Sequence, residues 1–196
     1  MATVFFVSAF VWFLFMSEPN SKPVPPHQPS HLRMVEEAKG GTKQKLLTFI
    51  QKSNPKLSKE DGVEIAYWID EYSKKEGVDP MLVAALINRE SSFNKAAISQ
   101  TGAKGLGQIK SFNFDSLGID DPYNIKQNVR GTVTYLKHLF TLWKGSANKT
   151  RLALASYYQG PNATKKKQDN MPEHVTNYVD DIIKRYQDLN PSARSL

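Results

Sequence analysis

Residues 79–93 read DPMLVAALINRESSF, and they predict one helix that begins near the start of the segment. Asp79 is suited to cap its first turn, and Pro80 is favoured at the first helical position. The stretch from residue 81 to residue 87 is apolar on every side, as expected for a helix at the centre of a protein. The remaining elements are therefore expected to pack around this helix.

Glu90 is the most informative residue of this segment. Helical spacing places it on the same stripe as Leu86 and Ile87, one turn further along. A carboxyl at the end of a buried stripe loses solvation, which raises its pKa and favours the protonated form. Cleavage of a glycosidic bond requires such an acid near neutral pH. Spacing alone leaves a structural role open, in which Glu90 ends the helix exposed or pairs with Arg89 or Lys95.

Helical periodicity continues on both sides of this segment. Ser58, followed three residues later by Asp61, resembles a capping box, and Gly77 is suited to end the helix that Ser58 opens. Asn124 is suited to cap a helix with apolar residues at four-residue spacing. No segment alternates as a strand does, so we predict an all-α fold with one compact domain. The six predicted helices cover about residues 42–54, 58–77, 79–92, 124–140, 150–158 and 175–186.

Composition narrows the classes of partner and of chemistry. The net charge of +7 is compatible with nucleic acid, anionic lipid or an acidic cell wall. Because the basic residues are scattered and no nucleic-acid motif is recognised, we predict no nucleic-acid partner. The absence of cysteine excludes disulfides, thiolate metal sites and cysteine nucleophiles. His27 and His31 have helical ligand spacing but follow prolines that disfavour a helix, so we predict neither metal nor cofactor.

The N-terminal region is divided from the rest by composition. Residues 1–17 carry no charged side chain, and the apolar run from residue 2 to residue 16 would span about 22 Å as a helix, short of a hydrocarbon core of about 30 Å. No basic residue precedes this run, and no small-residue cleavage site follows it. We interpret it as an uncleaved membrane anchor, with a signal peptide or a core element as alternatives. Residues 18–40 are predicted to be a proline-rich linker, and residues 41–190 the folded domain.

Five short motifs resemble those of the lytic transglycosylase (SLT-type) domain, which is related to goose-type lysozyme. They occur in that family's order over about residues 72–187, and together they are far more specific than any one alone. The resemblance implies a lysozyme-like helical domain with a glycan-binding cleft. The motifs are INRESSF (87–93), GAKGLGQI (102–109), DP with NVRG and YL (121–136), LALASYYQGP (152–161) and NYV (177–179).

The resemblance also implies roles for individual residues. Glu90 would be the catalytic acid and then the base, and Ser91 would hydrogen-bond near it or to a sugar substituent. Gln108 would contact the glycan from a glycine-rich loop. Tyr157 would line the cleft, and the hydroxyl of Tyr178 would orient the Glu90 carboxyl. Each of the last four residues also has a structural alternative, as a helix cap, a loop residue or a core aromatic.

Two positions depart from the family pattern. Gly107 replaces the usual methionine, which removes apolar surface expected to pack against the sugar. Tyr158 and Gln159 follow Tyr157 where the family has asparagine and alanine, so a contact to the substrate's acetamido group is in doubt. Either Gln159 replaces that contact or Tyr158 stacks on a sugar ring, and we expect altered subsite preference with Glu90 retained. The lysines at 165–167 would either contact an anionic wall or form a solvated loop.

The resemblance implies cleavage of the bond between N-acetylmuramic acid and N-acetylglucosamine in peptidoglycan, with formation of a 1,6-anhydromuramoyl end. The motifs supply no second catalytic carboxylate, and Asp115, Asp120 and Asp121 are candidates only by proximity in sequence. A hydrolytic muramidase and an inactive glycan-binding envelope module stay open as alternatives. The expected location is the bacterial envelope or periplasm, anchored or exported, or a phage particle. Components of a secretion or conjugation channel are further candidate partners.

Overall fold

The computed structural model describes residues 29–191, and this part of the chain is all-α, as predicted. It contains no β-strand, although isolated β-bridges join Lys104 to Ile98 and to Ile109. A 3-10 turn at Ser111–Asn113 precedes α5. The helices of the described range are α1 (His31–Glu37), α2 (Gly41–Ser53), α3 (Lys59–Glu76), α4 (Pro80–Ser91), α5 (Phe114–Leu117), α6 (Ile125–Leu142), α7 (Lys149–Gln159), α8 (Pro161–Lys167) and α9 (Glu173–Leu189).

Helix α4 is the centre of the domain, which confirms the prediction from residues 79–93. Every residue from 81 to 88 is buried, and α4 packs against α2, α3 and α9. Val83, Leu86 and Ile87 are wholly inaccessible to solvent. Burial of one such side chain stabilises a fold by about 1.5–3 kcal/mol, so the apolar sequence of α4 accounts for its central position.

The caps predicted at Ser58, Asp79 and Asn124 are present in the structure. The side chains of Ser58, Asp79 and Asn124 each accept a hydrogen bond from a backbone N–H of the first turn, at 3.1, 2.8 and 3.0 Å. Gly77 ends α3 with a φ of 65°, a conformation that glycine adopts without steric cost. These local signals therefore set both ends of α3 and the starts of α4 and α6.

Helix α1 was not predicted, and it lies within the range interpreted as a linker. Ser30 caps it by accepting the N–H of Arg33 at 3.3 Å, and Met34 and Ala38 are buried against the core. All prolines of the linker precede Ser30, so they do not obstruct a helix that begins at His31. The expectation that prolines exclude a helix at His31 is corrected accordingly.

Helix α8, which begins at the pair Gly160 and Pro161, was also not predicted. The pair does end α7, but proline is equally favoured at the first position of a helix, and α8 begins at Pro161. The lysines at 165–167 therefore lie exposed on the last turn of α8 rather than in a loop. Cations in that position interact favourably with the helix dipole.

A buried lysine connects the three N-terminal helices. Nζ of Lys43, on α2, lies 2.6 Å from a carboxylate oxygen of Glu37 and 2.9 Å from one of Glu71, and 3.7 Å from Asp70. Asp70 also accepts from Lys74 at 2.6 Å, while its other oxygen has no hydrogen-bond partner in the described chain. This charge cluster attaches α1 and α2 to α3.

Two sequence predictions fall on residues outside the described range. The candidate anchor, residues 1–17, lies there entirely, and so does the first part of the candidate linker. Within residues 29–191, no helix combines the length and the apolar character that a membrane crossing requires. In the same range no cluster of histidine, aspartate and glutamate side chains is placed to hold a metal ion.

Candidate active site

A groove of about 410 Å³ runs past the C-terminal end of α4. One wall is the loop between α4 and α5, and the other is the end of α7, with Tyr135 of α6 also contributing. Glu90 is the one carboxylate among the described residues that lines it. The lining residues are Glu90, Ser99, Thr101, Ala103, Gln108, Ile109, Lys110, Phe112, Asn113, Tyr135, Tyr157, Tyr158, Gln159 and Gly160.

The carboxyl of Glu90 is poised for proton transfer. Burial raises its pKa from the ordinary 4.5 to about 7, and two neighbours oppose that rise. Tyr178 donates a hydrogen bond to Oε1, and the positive charge of Arg89 also favours the ionised form. Because the pKa lies near neutrality, Glu90 is able both to give and to take a proton.

Tyr178 comes from α9 and is itself firmly held. Its side chain is buried, and its ring stacks on that of Tyr158 with centroids 4.5 Å apart. The guanidinium of Arg89 lies 5.3 Å from the ring centroid and forms a 2.9 Å ion pair with Asp181, one turn further along α9. Burial raises the pKa of Tyr178 well above its ordinary value, so the hydroxyl stays protonated as a donor to Glu90.

Tyr157 lines the groove and joins its two walls. Its hydroxyl donates a hydrogen bond to the carbonyl of Gly107 at 2.7 Å, and its ring lies 5.2 Å from that of Tyr135. Burial raises the pKa of Tyr157 well above its ordinary value, so the hydroxyl stays protonated in this bond. The structure thus gives Tyr157 a loop-holding contact in addition to its place in the cleft.

The space around Gly107 leaves no room for a side chain. A Cβ atom at this position would lie 1.9 Å from Oγ1 of Thr132 and 3.0 Å from the hydroxyl of Tyr157. The backbone N–H of Gly107 donates to Oδ1 of Asn128 at 2.8 Å, which holds the loop tightly against α6. A methionine therefore does not fit here while Thr132 occupies the facing position, a constraint that sequence patterns do not reveal.

Gln108 lies in the groove lining with a strained backbone, since its φ is 50°. Its side-chain amide nitrogen donates to the carbonyls of Ala97 and Gly105, at 3.2 and 2.9 Å. This nitrogen thus supports the loop, whereas no hydrogen bond within the described chain engages the amide oxygen. The oxygen is the part of Gln108 that is available to a ligand.

Ser91 is not among the residues that line the groove. Its hydroxyl donates to the carbonyl of Ile87 at 3.4 Å, a bond that a serine commonly makes within its own helix. The structure therefore supports the structural alternative for Ser91, and a sugar contact by Ser91 stays a prediction.

Tyr158 and Gln159, the two departures on α7, both line the groove. Tyr158 is 48% exposed, and its ring stacks on that of Tyr178. Tyr158 therefore packs directly against the residue that donates a hydrogen bond to Glu90. The amide nitrogen of Gln159 lies 3.3 Å from Oγ1 of Thr164 and 3.2 Å from the sulfur of Met171. Its amide oxygen has no partner among residues 29–191 and is free to accept from a substrate N–H.

Several lining residues were not identified from the sequence. Four of them belong to the loop wall, and hydrogen-bonded turns within that loop bring them to the groove. They are Thr101, Lys110, Phe112 and Asn113. The aromatic residue Phe112, close to a glycine-rich motif, was the signal available in the sequence. The carboxylates at 115, 120 and 121 do not line the groove, so none of them is placed as a second catalytic acid.

Comparisons with known proteins identify the family and several relatives of this chain. The family model described as transglycosylase SLT domain matches residues 67–179. A membrane-bound lytic murein transglycosylase F from Desulfosudis oleivorans is 34% identical over 95 residues, covering 47% of this chain and 21% of the relative. A transglycosylase of Enterobacteria phage PRD1 is 34% identical over 90 residues, covering 46% of this chain and 32% of the relative.

The fold also matches a solved structure. An inactive mutant of the lytic transglycosylase Slt from Pseudomonas aeruginosa superposes with a TM-score of 0.54 at 13% identity, covering 86% of this chain and 38% of the other. At that identity the match demonstrates a shared fold alone, and all three matches span less than half of the other protein. Because the family model covers more than half of the sequence, the chain belongs to the transglycosylase SLT domain family.

Proposed function

We propose that this protein is a peptidoglycan lytic transglycosylase that uses Glu90 as its single acid and base. The observation that carries the proposal is the position of Glu90: a carboxyl with a pKa of about 7, in a groove large enough for sugar rings. Family membership and the names of the relatives point to the same activity.

The first step is protonation of the glycosidic oxygen between N-acetylmuramic acid and N-acetylglucosamine. Tyr178 donates its hydrogen bond to Oε1, so Oε1 acts as the acceptor and the transferable proton resides on Oε2. As the bond to the leaving sugar breaks, positive charge develops at the muramoyl anomeric carbon, and the neighbouring acetamido oxygen stabilises it. Glu90 is then an ionised carboxylate.

The second step returns the proton to Glu90. The carboxylate removes the proton of the muramoyl 6-hydroxyl, and that oxygen attacks the anomeric carbon to close a 1,6-anhydro ring. One C–O bond has broken, one has formed, and no water is consumed. The lack of a second carboxylate in the groove, within the described residues, favours this route over mechanisms that use two carboxylates.

Mass spectrometry of digested peptidoglycan tests the proposal. We expect the purified full-length chain to release muropeptides with anhydromuramoyl ends, and Glu90→Gln to release none. Reducing ends one water heavier, again dependent on Glu90, would identify a muramidase instead. If the wild-type protein binds glycan strands but releases no product, the chain is an inactive binding module and the proposal fails.

The names of the relatives also bear on location. They include a membrane-bound enzyme and a phage protein, so we place this chain at the bacterial cell envelope, acting on the wall from the periplasm or from a phage particle. Residues 1–17 would then anchor it. Peptidoglycan strands are its proposed partner, and attachment to a secretion or conjugation channel remains a prediction.

A further inference from the structure

Phe112 occupies an unusual position for a large apolar side chain. It lies on the 3-10 turn Ser111–Asn113, it lines the groove that contains Glu90, and it is 81% exposed. Leu32, Ile98, Leu142 and Tyr158 are the other exposed large hydrophobic residues of the described chain, and of these only Tyr158 also lines the groove. The two exposed aromatic rings thus lie on the two walls of one groove.

Asn113, the next residue, supplies an unused polar group in the same place. Its side chain is partly buried and lines the groove, yet its amide makes no hydrogen bond within residues 29–191. A side-chain amide offers two donors and one acceptor oxygen. Partial burial removes water from the amide, and this costs free energy unless a ligand or a water molecule completes its hydrogen bonds.

The turn that presents both residues is fixed in place. Nζ of Lys110 donates to the carbonyl and to the hydroxyl of Thr101, at 2.7 and 2.5 Å. The backbone N–H of Asn113 donates to the carbonyl of Lys110, and its carbonyl accepts from Ser116, both at 3.0 Å. A ligand that binds here therefore pays little to order the turn.

We propose that Phe112 and Asn113 form a subsite for one N-acetylated sugar ring of the glycan strand. The apolar C–H face of the ring stacks on the phenyl group, and the acetamido group hydrogen-bonds to the side-chain amide. A flat apolar surface beside a convergent polar group is the pattern of a ligand site, and an N-acetylhexosamine presents the complementary pair. This inference rests on the proposed function because it assigns a substrate to the same groove.

The test measures binding and turnover separately. Calorimetry with the full-length Glu90→Gln protein and a peptidoglycan octasaccharide reads the affinity without cleavage. We expect Phe112→Ala to weaken binding about tenfold, and Phe112→Trp to retain it, since indole also stacks. In the active protein, Phe112→Ala should raise KM by a similar factor with a smaller change in kcat. Leu32→Ala is the matched control, since Leu32 is also 81% exposed but lies outside the groove.

Asn113 is tested with a chemically altered ligand. Asn113→Ala should weaken binding of the acetylated octasaccharide severalfold, and the loss should vanish with the de-N-acetylated octasaccharide. The inference is overturned if Phe112→Ala binds as Leu32→Ala does, or if the loss from Asn113→Ala is the same for both ligands. Failure of the proposed function gives a different result, because the wild-type chain then releases no anhydromuramoyl product, whatever the affinity of the Phe112 variants.

Discussion

The hydroxyl of Tyr178 donates a hydrogen bond to Oε1 of Glu90, although 88 positions separate the two residues in the chain. The contact exists because α9 packs against α4. Burial raises the pKa of Glu90, while this bond and the charge of Arg89 lower it. Burial is the larger effect, and the balance leaves the pKa at about 7, where a single carboxyl can serve as acid and as base.

Removal of that bond should change the pH dependence of the reaction. Tyr178→Phe deletes the donor that favours the ionised form, so the pKa of Glu90 rises further above its ordinary value. We expect the alkaline limb of kcat/KM to move to higher pH, and the maximal rate to fall roughly 10–100-fold because the carboxyl is less well oriented. The measurement is a pH profile of muropeptide release.

Tyr186→Phe is the matched control for this experiment. Tyr186 is also on α9 and also donates to a carboxylate, Asp79, at 2.6 Å, but it does not line the groove. Removal of the Tyr186 hydroxyl should leave the alkaline limb of kcat/KM at the same pH. An unchanged limb in Tyr178→Phe would contradict the role assigned to the bond with Glu90.

Glu90 should cost the protein stability at neutral pH. Its folded-state pKa of about 7 lies above the ordinary 4.5, so folding favours the protonated form. The stability that this form contributes is fully present below about pH 4.5, and it is lost as the pH rises through about 7. Glu90→Gln does not titrate, so its free energy of unfolding should exceed that of the wild type at pH 8 by on the order of 3 kcal/mol.

Urea unfolding of both proteins at pH 4.5 and pH 8 measures this difference. The advantage of Glu90→Gln should be much smaller at pH 4.5, where both side chains are neutral. An advantage of equal size at both pH values would mean that the two side chains differ in packing rather than in charge.

Gly107 should not tolerate a side chain. Gly107→Ala places Cβ 1.9 Å from Oγ1 of Thr132, so we expect a loss of about 1–3 kcal/mol from overpacking. Thr132→Ala removes the clashing oxygen and should restore part of the loss in the double variant, as judged by thermal unfolding. Thr132→Ala should not rescue Gly105→Ala, because a Cβ at position 105 would lie 2.2 Å from the backbone oxygen of Pro122 and the φ of Gly105 is 76°. An additive double variant would show that Thr132 is not the obstacle.

The buried lysine of the N-terminal helices should matter for stability rather than activity. Lys43→Met leaves Glu37 and Glu71 without their shared cation, and because both carboxylates are partly exposed, we expect a loss of about 1–2 kcal/mol in the free energy of unfolding. Turnover below the melting temperature should be retained, because Lys43 does not line the groove. Lys39→Met breaks only an exposed pair with Glu36 and should cost at most about 0.5 kcal/mol. Equal losses for the two variants would show that burial of Lys43 adds nothing to the contribution of its ion pairs to stability.

The candidate anchor makes a separate prediction. Deletion of residues 1–17 should move the protein from the membrane fraction to the soluble fraction, because this uncharged segment is the proposed attachment. Fractionation of cells that express the full-length and truncated chains measures this. A full-length protein that is already soluble and monomeric would show that the segment is not an anchor.

Local sequence signals accounted for much of the helical framework. Helix caps act on their nearest neighbours in the chain, so the helix ends that they set were predictable without knowledge of the fold. These caps are Ser58, Gly77, Asp79 and Asn124. The same local view missed α1, whose burial depends on contact of Met34 with a core formed elsewhere. It missed α8 because a glycine–proline pair ends one helix and begins the next, and only packing decides whether the second helix forms.

The sequence alone determined that the chain is helical, that α4 is central, and that Glu90 follows a buried stripe. These properties come from periodicity and from short-range caps, which are written in consecutive residues. Tertiary structure alone decided that Tyr178 reaches Glu90, that Thr132 excludes a side chain at position 107, and that Phe112 and Asn113 line the groove. Such contacts join residues that are distant in the chain, and they form only when the burial of apolar surface brings whole helices and loops together.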